Sequence, residues 1–293
     1  MTGGPRTDGR PARGIAGRLW LGLGAAASAS LLLLFLLPIA ALLTYAPPSR
    51  LLAAATSAPV QQSIALTLYA AALAVLASAL LAVPLGYLLA RHRFRGRGVV
   101  ESIVTLPVVV PHLLVGLGLF FLLAVPSTPL HAAAAALGIP IYDSIAGVVL
   151  VMVVVSAPYT VVASQLAFQA VDGRVVEAAR SLGAGPATAF LTVTLPIAGR
   201  GIVAGLLLTW ARAVSEIGGL LILAAYVFPG GLYSGPVANP ISVYVYELFQ
   251  NGNLADAAAV SSVFLLIAFA IFLGVRLAER TARLPWRSGE LLP

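Results

Sequence analysis

Residues 19–43 form an uninterrupted apolar run without one charged side chain. About 20 such residues, rising ~1.5 Å each, cross the ~30 Å hydrocarbon layer of a bilayer, and lipid offers no partner to an unpaired peptide group, so a segment of this kind must be helical. Further long apolar stretches follow it. Spans are predicted at residues 19–44, 64–90, 99–125, 145–168, 199–226 and 254–277. A soluble domain is about one quarter charged, whereas this chain is 9% charged and 60% hydrophobic. The expected fold class is therefore an all-α integral membrane protein with six transmembrane helices. The first run exceeds the roughly 7–15 residues of a signal-peptide core and is read as a retained span.

The basic residues fix the topology. Cytoplasmic loops accumulate positive charge, and all but Arg50 and Arg212 of the 17 basic residues fall on one face of a six-span arrangement. They are Arg6, Arg10, Arg13 and Arg18, then Arg91, Arg93, Arg95 and Arg97, then Arg174, Arg180 and Arg200, and finally Arg276, Arg280, Arg283 and Arg287. Both termini are expected in the cytoplasm. The organisation is a basic tail (1–18), a six-helix domain (19–279) and a second cytoplasmic tail (280–293). The net charge of +7 is thereby a matter of membrane orientation, and no nucleic-acid partner is expected. The surrounding partner is lipid, in the cell membrane.

Of the outer connectors, 45–63 reads as a Pro/Ser-rich link and 126–144 as carrying a short surface helix in its alanine run. The third, 227–253, is broken by Pro229-Gly230-Gly231, Gly235-Pro236 and Asn239-Pro240. Its aromatics (Phe228, Tyr233, Tyr244, Tyr246 and Phe249), with Glu247 and no basic residue, fit either a docking face for an extracytoplasmic protein or an interfacial aromatic belt.

Enzymatic chemistry finds little support. The chain has no G-x-x-x-x-G-K-[ST] phosphate loop, no cysteine and no H-E-x-x-H, and His92, His112 and His131 lie in different segments. Tyr142-Asp143 lacks the second acidic motif of an intramembrane aspartyl protease. No cofactor or metal is expected on this chain, and no catalytic residue is assigned.

The long polar interval 172–196 stands apart. Arg174 to Leu182 contains good helix formers, and Gly183-Ala184-Gly185-Pro186 ends the helix, because glycine accepts positive φ and proline cannot continue it. A second short helix is expected at about 187–192, leading to Leu195-Pro196 where the fifth span begins. Glu177-Ala178-Ala179, Gly183 six positions after the glutamate, and Val193-x-Leu195-Pro196 together resemble the EAA signature of ABC importer permeases. The resemblance implies the type I permease fold and a docking role for Glu177, Ala178, Ala179, Arg180, Gly183, Val193, Leu195 and Pro196 on a separate ATPase, which would hold ATP and Mg. Val193 stands where the family usually has isoleucine.

The third span reads Leu106-Pro107-Val-Val-Val-Pro111-His112 with Gly116-Leu-Gly118, and the fifth Leu208-Thr-Trp210-Ala-Arg212-Ala-Val-Ser215-Glu216-Ile-Gly218. Both are similar to the molybdate/tungstate branch of the family, its archaeal-type tungstate permeases especially, and less closely to the sulfate branch. Pro107 and Pro111 each remove an amide donor and break the third helix, which is tolerated only where protein or water satisfies the freed carbonyls. His112 follows directly, as a core histidine or a pathway group. Counted from Arg200 at ~1.5 Å per residue, Arg212 lies ~18 Å and Glu216 ~24 Å up the fifth helix. An ionised side chain at that depth costs roughly 2.5–3.5 kcal/mol and faces inward with a partner. The pair fits a gate that meets an oxyanion, or a neutralised structural contact. Gly201-x-x-x-Gly205 fits close helix packing, between subunits or within one.

The expected function is thus the permease subunit of an ATP-driven oxyanion importer, tungstate or molybdate, paired with a second copy and fed by an extracytoplasmic substrate-binding protein. A sulfate/thiosulfate permease and an ion-gradient-driven secondary transporter are the alternatives, the latter lacking the internal repeat such folds carry.

Overall fold

The computed structural model describes residues 15–281, with side chains from Trp20 to Ala278. The tail arginines Arg6, Arg10, Arg13, Arg283 and Arg287 lie outside the described residues. Every regular element is a helix, in the order α1 (Ile15–Tyr45), α2 (Pro48–Thr56), α3 (Ala58–Arg91), α4 (Arg97–Val109), α5 (His112–Leu119), α6 (Pro129–Ala136), α7 (Ile145–Gln169), α8 (Gly173–Ser181), α9 (Pro186–Ala189), α10 (Leu195–Val214), α11 (Gly218–Leu223), α12 (Ile241–Gln250) and α13 (Leu254–Thr281). Five helical stretches are long and apolar enough to cross a membrane, and the pair α4–α5 makes a sixth, bent by 110° at its break.

Several prolines start helices instead of stopping them. Pro48 and Pro59 sit in the first turns of α2 and α3, where a missing N–H costs nothing. The Pro/Ser-rich connector at 45–63 is consequently helical almost throughout, which corrects its reading as a plain link. Connector 227–253 likewise contains α12, launched from Pro240. The alanine run forms α6 as expected, capped by the Thr128 side chain, which accepts from the His131 N–H at 3.2 Å.

Two π turns follow, and one of them accommodates a proline. The Val125 N–H reaches back five residues to the Phe120 carbonyl, and the Leu195 N–H does the same to Phe190. The second turn lies just before Pro196, whose ring would otherwise strike the carbonyl four residues earlier, while the first ends its helix ahead of Pro126. The fifth span is therefore continuous from Pro186 to Val214, a helix of 29 residues. Two expectations are corrected by this. No separate helix stands at 187–192, and Pro196 does not open the span.

The core is organised on α7, the most enclosed span, with 56% of its apolar stretch buried against 39% for α3 and none for α1. Against α3 it presents Val148, Val151, Met152 and Val155 to Ala70, Ala71 and Ala74. Small residues let the backbones close up. A Cβ on Gly86 would stand 2.8 Å from Ser164 Cβ and 2.9 Å from the Val161 carbonyl oxygen. Toward α10, Cβ atoms on Gly201 and Gly205 would stand 2.6 Å from those of Ala167 and Ala163. The Gly201-x-x-x-Gly205 pattern thus packs within the chain. Beside it the Thr160 and Thr209 hydroxyls lie 2.6 Å apart, and Thr209 donates to the Ser156 carbonyl at 3.0 Å.

The magnitudes rank two substitutions here. Interhelical hydrogen bonds in membranes average about 0.6 kcal/mol, whereas overpacking a tight site costs about 1–3 kcal/mol. Gly205→Leu is therefore expected to lower the denaturation midpoint of the detergent-solubilised protein clearly more than Thr209→Val. Equal or reversed effects would refute the close α7–α10 contact.

Candidate functional site

Helix α8 is built to stay folded while exposing one side. Asp172 caps it, accepting from the Arg174 N–H at 2.9 Å and pairing with the Arg174 guanidinium at 2.7 Å. That bond holds the Asp172 carboxyl below its usual range. At the other end Gly183 has φ +93°. Its N–H bonds the Arg180 carbonyl at 3.0 Å and the Ala184 N–H bonds that of Ala179 at 3.1 Å, the paired closure of a Schellman motif that favours glycine at this position.

The apolar residues of α8 divide into two faces. Val176 packs inward on the cluster of Phe168, Val171, Ala198 and Ile202, close to the ring of Phe190. Tyr87 stacks edge-on against both Phe168 (5.1 Å) and Phe190 (4.9 Å), and Arg91 donates to the Val171 carbonyl at 3.0 Å. Outward lie Val175, Ala178 and Leu182, at the i, i+3, i+7 spacing of one helical stripe, with Glu177 and Arg180 also exposed. Leu182 is 90% exposed and Val175 47%. Gly183 is exposed, while Val193, Leu195 and Pro196 are half-buried at the base of α10.

The second assembly lies at the breaks in the third and fifth spans. Pro107 sits inside α4 without ending it; the break is at Val110–Pro111, and His112 is the first residue of α5. The fifth span breaks too, which the sequence reading did not anticipate. Helix α10 ends at Val214, and Glu216 occupies the gap before α11 instead of continuing the helix. The two second halves then cross backbone to backbone. A Cβ on Gly116 would stand 2.6 Å from Gly219 Cα, and one on Gly218 would stand 2.9 Å from the Leu113 nitrogen.

Glu216 ties the crossing together. Its carboxylate is wholly buried (0% exposed). Oε1 accepts from the Gly219 N–H at 2.8 Å and Oε2 from Arg212 Nη2 at 2.8 Å, with His112 Nδ1 3.3 Å from Oε2. Ser242 of α12 donates to the Glu216 carbonyl at 2.5 Å. Arg212 Nη2 also contacts the His112 ring, 2.9 Å from Nε2, and Nη1 donates to Ser215 Oγ at 3.1 Å. Arg212 and His112 remain partly open, at 18% and 31% side-chain exposure. His112, Arg212 and Glu216, 100 residues apart at the extremes of one contact, are thus brought into one cluster. The EAA-like loop is at the opposite end of α10. Sequence reasoning missed Gly219 and Ser242; the Gly218-Gly219 pair following a charged break was the signal for the first.

Asp143, set aside above as a catalytic residue, is a clamp at the far end of α11. At φ +46° its N–H donates to the Leu223 carbonyl at 3.0 Å, its carbonyl accepts from the Phe228 N–H at 3.2 Å, and its carboxylate accepts from the Tyr226 N–H at 3.2 Å. Burial pushes this carboxyl above its usual range. Glu247 accepts from the Tyr226 hydroxyl at 2.8 Å and the Asn239 amide at 3.2 Å, fastening the same loop to α12.

A family model described as "Binding-protein-dependent transport system inner membrane component" matches residues 82–283, from the second half of α3 through α13. The chain belongs to this family. It is a multi-pass membrane transport component of the ABC permease type. The molybdate/tungstate transport system permease protein WtpB of Thermococcus kodakarensis is 35% identical over 215 residues, 73% of this chain and 77% of that protein. A probable molybdenum ABC transporter permease protein of Haloferax volcanii is 35% identical over 250 residues, 83% of this chain and 86% of that one. Among solved structures, a bacterial alginate ABC transporter, crystallised with an alginate-bound periplasmic protein, matches with a TM-score of 0.71. That match is 18% identical and covers 91% of this permease and 96% of the other chain.

The permease's crossing gives a paired test. Gly116→Ala forces the α5 and α11 backbones apart, and overpacking of this kind costs about 1–3 kcal/mol. Gly118, with nothing within 4 Å of a Cβ, is expected to accept alanine without loss. Thermal midpoints that fall only for Gly116→Ala bear this out; midpoints that fall equally for both contradict it.

Proposed function

We propose that this permease carries a tetrahedral oxyanion, tungstate or molybdate, across the cell membrane, driven by a separate ABC ATPase that docks on α8. The observation that carries the reading is the outward stripe of Val175, Ala178 and Leu182, presented on a helix anchored to the base of the fifth span. A monomeric protein gains nothing from a leucine 90% exposed beside a charged helix face, whereas a groove on a partner would bury it. The docking set is Glu177, Ala178, Ala179, Arg180, Gly183, Val193, Leu195 and Pro196. Molybdate and tungstate are favoured because the relatives named above carry those names.

In this reading the arginine-rich loops and both termini are cytoplasmic, in keeping with the charge distribution. The opposite face, with the aromatics after α11, receives a substrate-binding protein. ATP and Mg belong to the ATPase, and this chain hydrolyses nothing. The working unit is a homodimer. A second copy has apolar surface to cover, since α1 is exposed from Trp20 to Ala41 and a groove of about 880 Å³ runs between α1, α10, α12 and α13, lined by Leu36, Trp210, Val214, Phe264 and Phe269 among others. ATP binding closes the ATPase pair, moves both α8 helices, and tilts the continuous helix 186–214 that ends at the Arg212–Glu216 break.

Reconstitution with the ATPase and binding protein tests this. Tungstate or molybdate uptake is expected only with ATP and both partners present. Leu182→Asp buries a charge in the proposed interface, and one uncompensated buried charge costs several kcal/mol, so ATPase binding should fall at least about a hundredfold. Gly183→Pro, which cannot adopt φ +93°, should abolish uptake. Normal uptake by both variants would refute docking on α8.

A further inference from the structure

The charged cluster at the two breaks is asymmetric in a way that points to a ligand. Its carboxylate is sealed inside, with Glu216 0% exposed, while the cationic and neutral donors lie on the open side. Arg212 is 18% exposed, His112 31%, and Ser215 is exposed. Among the described residues Arg212 bonds through Nη1 and Nη2 only, leaving Nε–H available. A structural ion pair in a membrane interior would be expected to shield its cation as well as its anion. Glu216 is also fixed independently of Arg212, through Oε1 on the Gly219 N–H, so the carboxylate keeps its place if the guanidinium turns away.

We propose that Arg212, with His112 and Ser215, is a transient subsite for a tetrahedral oxyanion, and that Glu216 is a fixed counter-charge behind it that keeps the anion weakly held. The inference rests on the oxyanion-transport reading above and assigns the group that sets its release. An anion arriving at the open side meets the guanidinium first, at hydrogen-bond distance, and forms charge-assisted bonds of the kind arginine makes with oxyanions. The carboxylate lies one guanidinium width further in and repels it. Conduction needs a site favourable enough to enter and weak enough to leave. Because the Coulomb term is linear in ligand charge, the repulsion from Glu216 acts twice as strongly, in free energy, on a dianion as on a monoanion of the same shape.

Tungstate and perrhenate supply that comparison, both tetrahedral, one a dianion and the other a monoanion. Their binding is measured on the assembled permease–ATPase complex without the binding protein, whose own selectivity would mask the effect. Glu216→Gln keeps the size of the side chain and one acceptor oxygen, enough for the Gly219 N–H bond, and removes the charge. It is expected to tighten tungstate at least about tenfold and perrhenate by the square root of that factor, and Arg212→Gln is expected to abolish the gain. Ser215→Asp, at an exposed position the fold tolerates, adds a carboxylate on the open side and should weaken tungstate instead. Unchanged tungstate binding in the assembled Glu216→Gln complex, or in Ser215→Asp, would overturn the subsite. Wild-type tungstate uptake in proteoliposomes separates the two readings: with uptake intact, only the subsite fails, and with no uptake of either metal oxyanion, the transport assignment itself does.

Discussion

A peptide group inside a bilayer must find its partner within the protein, since each one left unpaired costs several kcal/mol. This permease interrupts its helical ladder in two neighbouring spans, and the interruptions are made tolerable by one residue. Glu216 accepts the Gly219 N–H through its carboxylate and offers its carbonyl to Ser242, so that the gap between α10 and α11 is closed by its own side chain and by α12. The same carboxylate binds Arg212 and approaches His112. Removing it would leave the Gly219 amide without its acceptor and the guanidinium without a counter-charge where water is scarce. Both halves of the fifth span, the start of α5 and the start of α12 therefore converge on a single residue.

From that point the architecture extends in one direction as a long helix. Helix 186–214 runs unbroken because the π turn at Phe190–Thr194 lets Pro196 sit inside it. At 29 residues and ~1.5 Å each it exceeds the hydrocarbon thickness, long enough for the end that carries α8 to project beyond the apolar layer. The Val176 and Phe190 contacts fix α8 to that end. In the proposed coupling, a force applied to Leu182 would be delivered along this helix to the Arg212–Glu216 break.

Much of this was legible in the sequence, for identifiable reasons. Apolar runs give spans because lipid permits nothing else, Pro111 announces a break because it lacks an N–H, and Gly183 marks the end of α8 because its φ is positive. The break at Ser215–Ile217 was illegible, since no proline or preceding glycine signals it and Arg212 and Glu216 look like an ordinary i, i+4 pair. Pro196 was read as the start of a span and the proline-rich 45–63 as a plain link, although a π turn accommodates the first and first-turn positions accommodate Pro48 and Pro59. The meeting of His112 with Arg212 depends on the Gly116–Gly219 crossing, a tertiary contact that no local pattern encodes.

The central claim is that movement at the docking helix is felt at the charged break. Spin labels placed at Leu182 and, separately, at Trp210 in a homodimeric complex report the distance between copies at each end of the long helix. Binding of a non-hydrolysable ATP analogue to the ATPase is predicted to shift both distances together, in the resting and the loaded complex alike. A shift at Leu182 with none at Trp210 would mean that the helix does not transmit, and would contradict the account.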